Sequence, residues 1–231
     1  RFKKDFTLLP SFLKIGEFWD VNSTSSVAKV LTKAFKYGNV LGKELRNVGV
    51  DLSFTPVIDL DWSRSEVIGD RSLGSDPYKV SIIASSIMHG LLMSGMKNCA
   101  KHFPGHGWSI SDSHFEEAID DREFKDIENN DLVPYKLLCG NYGPISSVMP
   151  SHVTYTKCDK HPAGFSNFWI KEILRKKLKF NGLVISDDLS MTAAGFYQNI
   201  LDRVDAAISA GCDAILICNK RDLVIEVINN Y

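Results

Sequence analysis

The sequence has no apolar run of the roughly 18 residues needed to cross a bilayer. Its best candidate, residues 81–96, is interrupted by Ser, His and Gly, so no membrane partner is expected. It also lacks an excess of either charge: Lys and Arg are scattered among Asp and Glu to a formal net charge of -1, which gives no field to gather a polyanion, and nucleic acid is not expected either. The one basic run, RKKLK at 175–179, falls at the end of an expected helix, where cations meet the negative end of the dipole. There is no Cys-x-x-Cys pair, and the five cysteines, Cys99, Cys139, Cys158, Cys212 and Cys218, are odd in number. Three of them lie in or beside apolar strand-like runs, so they read as buried thiols of a reducing compartment. A signal-peptide pattern is lacking, and the chain opens RFKKD without Met, so the expected location is cytoplasmic and the expected start lies further upstream.

What is present is an alternation. Residues 24–48 space Val27, Val30, Leu31, Ala34, Phe35, Leu41 and Leu45 as a helix does, with Gly49 as its stop. A β-branched strand comes next at 51–60. Helices are then expected near 76–95, 123–139, 166–178 (capped by Ser166) and 198–210, with a last one at the end, and strands at 98–103, 145–150, 182–188 and 214–218. Five strands, each followed by a helix, mean a parallel sheet covered by helices. Asp59 and Asp61, Lys101 and His102, His152, Asp187 and Asp188, and Cys218 with Asn219 all fall at the carboxyl ends of successive strands. An open doubly wound sheet concentrates chemistry at one switch point, whereas a TIM (β/α)8 barrel draws on most strand ends, and no Gly-x-Gly-x-x-Gly follows a strand. The expectation is a single partial TIM-barrel catalytic domain over 1–231, with N-terminal strands and closing helices missing from this sequence.

The densest polar stretch is KHFPGHGWSISDSH, 101–114. His102 and His106 stand at i, i+4, a metal-binding spacing on a helix, but Pro104 and Gly105 forbid a helix between them and no adjacent Glu supplies a base. Asp112 and His114 are two apart, close enough for a turn to set a carboxylate against one ring nitrogen and leave the other to move a proton. A nucleophile is then wanted, and ISDDLSM at 185–191, a strand ending in two carboxylates, offers Asp187 or Asp188, one of which is expected to cap the next helix. Three readings stay open on these residues: acid/base hydrolysis, a metal-dependent hydrolase using His102, His106 and His114, and a non-catalytic sugar-binding barrel.

KHFPGHG, DSH, IGDRS at 68–72, MPSHV at 149–153, SDDLSM at 186–191 and AGCDAILICN at 210–219 come in the order and spacing of one group of enzymes. The chain resembles, over essentially its whole length, the bacterial β-N-acetylhexosaminidases of glycoside hydrolase family 3. That resemblance implies a monomeric retaining exo-glycosidase of the bacterial cytoplasm, without metal or cofactor. Its small carbohydrate substrate would be a muropeptide of peptidoglycan recycling, GlcNAc linked to 1,6-anhydro-N-acetylmuramic acid with or without peptide. It assigns Asp187 as nucleophile, His114 as proton donor and acceptor, Asp112 as the group orienting His114, and Arg1, Arg71, Lys101 and His102 as sugar contacts. It leaves His106 to loop architecture and His152 undecided. The acid being a histidine, the usual spacing of about 5 to 5.5 Å between two carboxyls does not carry over. FEEAIDDR after DSH, Ser151 in MPSHV and residues 20–26 depart from the family pattern, away from these positions. The short Trp108–Ser111 link suggests a loop that brings His114 to the sugar on closing.

Overall fold

The computed structural model describes residues 4–110, 118–140, 143–191, 194 and 196–231. Helices α1 (Phe12–Glu17) and α2 (Thr24–Asn47) come first, and Ser23 caps α2 by accepting the N–H of Ser26 at 3.3 Å. Helix α3 (Pro77–Met93) starts with Pro at its first position, while Asp76 Oδ1 accepts the N–H groups of Tyr78 (2.8 Å) and Lys79 (3.1 Å). Glycine lets α2 and α3 meet closely: a Cβ on Gly90 would run into the carbonyl of Phe35, and one on Gly38 into that of Ile87. This contact is tighter than the expected stripe implies, and Phe35 is left 38% exposed.

Strand β1 (Cys99–Phe103) is followed by β2 (Ala118–Asp120), α4 (Phe124–Asn129), α5 (Leu132–Leu138), β3 (Ser147–Pro150) and β4 (Val153–Tyr155). The helix expected over 123–139 is thus broken. Pro134 has no N–H to give the carbonyl four residues back, so the helix restarts at Leu132 and turns Asp131 inward. A π-helical segment, Phe168–Lys177, has Asn167 and not the expected Ser166 as its N-cap, although Ser166 Oγ just before it accepts the N–H of Trp169 at 3.1 Å. The basic run on it is held by specific partners: Arg175 on the carbonyl of Gly182 (2.6 Å) and on Asp213 (2.6 Å), Lys176 on Glu172 (2.7 Å) and Lys177 on Glu128 (2.5 Å). Strand β5 (Leu183–Asp188), α6 (Ile200–Ala210), β6 (Ala214–Leu216) and α7 (Arg221–Asn230) complete the order. Gly211, at φ 115°, ends α6 in the left-handed region that favours glycine.

The main sheet runs β1-β3-β5-β6, every pair parallel. Residues 51–60 were expected as a strand and form instead an extended segment with isolated parallel bridges, Leu52 to Lys97 and Val57 to Lys101. Pro56, without an N–H, interrupts the ladder, yet Ile58 N–H still reaches Lys101 O at 2.9 Å and Cys99 N–H reaches Thr55 O at 3.0 Å. Counted with this segment, the lanes succeed one another in chain order without reversal, the progression of a barrel and not of a doubly wound sheet. The fold is a TIM-barrel-like α/β architecture. A separate parallel pair, β2 with β4, was not anticipated; at three residues each these strands are too short for a periodic signal.

The core behind the sheet is aromatic. Phe103 packs edge-on to Tyr135 (5.0 Å) and Trp169 (6.2 Å), and Tyr155 meets Trp169 at 4.9 Å. The five cysteines are thiols, with Cys99 and Cys212 buried, and burial pushes those two up to about 11 and about 12. Among the described residues no helix is long and apolar enough to cross a membrane.

Candidate active site

The carboxyl ends of the lanes converge on a charged floor. Lys101 and His102 are adjacent in β1, and Asp187 and Asp188 close β5. Arg71 sits on the single turn Gly69–Arg71, its Nη1 donating to Val67 O at 3.0 Å and its Nη2 lying 3.5 Å from His102 Nε2. Arg71 and Lys101 line one cavity of about 320 Å³ together with Asp70, Phe54 and Val57, and the Lys101 ammonium stands 6.0 Å over the Phe54 ring. Burial pulls the Lys101 pKa down against the opposing pull of the Asp187 carboxylate.

The two acids of β5 have unlike surroundings. Asp188 is spent on structure: Oδ1 accepts the N–H groups of Ser190 and Cys218, both at 2.9 Å, and Oδ2 accepts the Ser190 hydroxyl at 2.9 Å, tying β5 to the end of β6. Asp187 takes the N–H of Asp188 at 2.8 Å. Burial works against a charged Asp187, but its neighbours, the Asp188 N–H and the Lys101 ammonium among them, outweigh it and hold the carboxyl below the usual range. An acid kept anionic at a partly buried strand end is a competent nucleophile.

His102 is 6% exposed and bound at Nδ1 to Asp59 Oδ2, 2.7 Å away. His106 is buried beside it, rings 5.7 Å apart, and its N–H donates to Asp59 Oδ1 at 2.9 Å. Burial first, and His102 second, push His106 down to about 4, so it is neutral near pH 7. His152 stacks on Phe165 at 5.4 Å and its Nε2 lies 3.2 Å from the carbonyl of Asp188, behind the floor; burial depresses its pKa. The glycines of PGHG are needed for approach: a Cβ on Gly105 would come within 2.7 Å of Asp131, and one on Gly107 would strike the carbonyl of Leu60.

Arg1, Asp112 and His114 lie outside the described residues, as do residues 111–117 as a whole. Arg71, Lys101, His102 and Asp187 come together on one face. Among the described residues no group of three His, Cys, Asp or Glu side chains is placed to hold a metal ion, and His114, the third ligand of the metal reading, is not among them.

Two features escaped the sequence. Asp59 was visible only as a strand-end acid, although its place beside the Lys-His pair on the neighbouring lane was the usable signal. The other is a buried ion cluster under the PGHG corner. Arg122 donates to Asp120 (2.6 Å) and Asp131 (2.7 Å) and lies against the rings of Trp62 (4.9 Å) and Trp108 (4.7 Å). Tyr155 OH holds Gly105 O at 2.5 Å from the same side.

A parallel barrel-type fold with charged groups gathered at the carboxyl ends of its strands is the arrangement of a catalytic barrel face. Residues 1–231 match the glycosyl hydrolase family 3 N terminal domain, and the chain belongs to that family. It is 46% identical over 229 residues to a beta-hexosaminidase of Bordetella avium, covering 99% of this chain and 64% of that protein. The crystal structure of native NagZ from Neisseria gonorrhoeae superposes with a TM-score of 0.90 at 41% identity, over 100% of this chain and 65% of that one. NagZ of the same organism in complex with N-trifluoroacetyl-D-glucosamine gives 0.89 at 41%, over 99% and 64%. The chain thus spans just under two thirds of the length of these relatives.

Proposed function

We propose that the protein is a retaining β-N-acetylhexosaminidase that removes terminal β-linked N-acetylglucosamine from peptidoglycan fragments, with this chain as a single catalytic unit. The observation that carries the proposal is the place of Asp187, partly buried at the carboxyl end of β5 on the same face as Lys101, while its neighbour Asp188 is tied to Ser190 and Cys218. The beta-hexosaminidase relative and the glucosamine derivative bound to the N. gonorrhoeae protein support the sugar class.

In the first step Asp187 attacks the anomeric carbon while His114, protonated, gives its proton to the leaving oxygen of the anhydromuramyl unit. In the second, neutral His114 takes a proton from water, the water oxygen attacks the same carbon, and the Asp187 ester bond breaks. Asp112 stabilises the imidazolium in both steps. Arg1, Arg71, Lys101 and His102 hold the sugar hydroxyls, so that binding at the non-reacting positions offsets distortion of the ring. We place it, as a monomer, in the bacterial cytoplasm, a reducing compartment in keeping with its free cysteines.

Proton NMR of the first-formed product from GlcNAc-anhydromuramic acid, using the full-length protein, tests this. The β anomer is expected first. First appearance of the α anomer would refute the double displacement.

A further inference from the structure

Asp59 has no contact with solvent, its side chain being 0% exposed. Its two oxygens collect donors from both ends of the Pro-Gly corner. Oδ1 accepts the N–H of His102 at 3.0 Å and of His106 at 2.9 Å, while Oδ2 accepts the N–H of His102 at 3.1 Å and its ring Nδ1–H at 2.7 Å. A carboxylate bound in this way only accepts, so the proton of the facing imidazole nitrogen sits on Nδ1. In the neutral ring of that tautomer Nε2 keeps its lone pair, and Arg71 Nη2, which can only donate, lies 3.5 Å from it.

Resting on the proposed role of these residues as sugar contacts, we infer that Asp59 is a positioning residue that sets the hydrogen-bond polarity of that layer. It fixes His102 as an Nδ1–H tautomer so that Nε2 accepts a hydrogen bond from a sugar hydroxyl. Lys101 and Arg71 carry N–H donors and no acceptor. A hydroxyl at this point therefore donates to His102 and accepts from a cation, which a fluorine, unable to donate, does not reproduce. The layer selects a hydroxyl over a substituent that only accepts.

Asp59→Asn is the test, because the amide is nearly isosteric. Its oxygen keeps the two backbone N–H partners, while its NH2 faces Nδ1 and drives the proton to Nε2. Nitrogen-15 NMR of histidine-labelled full-length protein is expected to give a protonated Nδ1 and an unprotonated Nε2 for His102 in the wild type, exchanged in the variant. With glucosaminide substrates, kcat/KM is expected to fall about tenfold to a hundredfold, chiefly through KM. Among 3-, 4- and 6-deoxyfluoro glucosaminides, the largest wild-type penalty is expected to shrink in the variant. A variant that keeps Nδ1–H, or an undiminished fluorine penalty, would overturn the inference. If Asp59→Asn does not fold, the wild-type spectrum still decides, since a protonated Nε2 contradicts it. An inert wild type with unprotonated Nε2 would instead count against the glycosidase reading and leave the tautomer assignment standing.

Discussion

Replacing Arg122 by Ala removes the cation from a site where its partners have nowhere else to go. The Asp120 and Asp131 side chains are both 0% exposed and Arg122 is 7% exposed. After the change Asp120 keeps the N–H of residue 122 (3.0 Å) and Asp131 keeps the indole N–H of Trp62 (3.1 Å) as neutral donors. Breaking a buried pair from one side costs about 3–5 kcal/mol. For a domain of this size that is a fall in Tm of roughly 6–20 °C. The pH dependence comes from the sign of the shift. Burial already pushes Asp131 up against the pull of Arg122, and without Arg122 only the Trp62 indole N–H still opposes it. A carboxyl whose folded pKa is raised costs stability above its ordinary pKa and not below, so the deficit of the variant should shrink as the pH falls from 7 toward 5. Urea unfolding of the full-length protein and its variant across that range measures both effects. A difference under about 1 kcal/mol, within the range of exposed pairs, would refute the reasoning. So would a deficit that stays constant with pH.

Other contacts give further outcomes. Gly90→Ala, whose Cβ would run into the Phe35 carbonyl, should cost about 1–3 kcal/mol by overpacking, while Met93→Ala, 72% exposed on the same helix, should stay within about 0.5 kcal/mol in the same unfolding assay. His106, held down to about 4 against an ordinary value of 6.5, binds its proton more readily when unfolded. Stability should therefore be full above about pH 6.5 and fall by roughly 3 kcal/mol as the pH drops to 4, and His106→Gln should flatten that slope. His114→Ala should lose about 10² to 10⁴ in kcat, and Asp187→Asn should lose more, in steady-state assays on a chromogenic glucosaminide.

Much of the architecture could be read because alternation is a local signal. Each helix that packs on the sheet carries its own periodicity, and each strand end carries its own polar residues. What failed was set by neighbours or by one residue. Pro56 reduced the strand at 51–60 to isolated bridges, and Pro134 cut one long helix into α4 and α5. The Arg122 cluster joins residues 62, 108, 120, 122 and 131, a meeting that only the fold makes. At the candidate site, Arg71, Lys101, His102 and Asp187 were legible as motifs, and their placement at lane ends brings them together. Asp59 was not, because its function is to hold another side chain. From residue chemistry alone the two acids of SDD were alike and the family resemblance chose Asp187; the hydrogen bonds from Ser190 and Cys218 are what set the tied Asp188 apart in the fold.

A covalent bond from Asp187 to the sugar is the step on which the proposed mechanism turns. Treating the full-length protein with an activated fluoro-glucosaminide that slows the second step, then digesting it and sequencing peptides by mass spectrometry, tests this most directly. One added glycosyl mass is expected on Asp187, absent in Asp187→Asn. A label on another residue, or turnover of the probe with no covalent species while the enzyme is active, would contradict it.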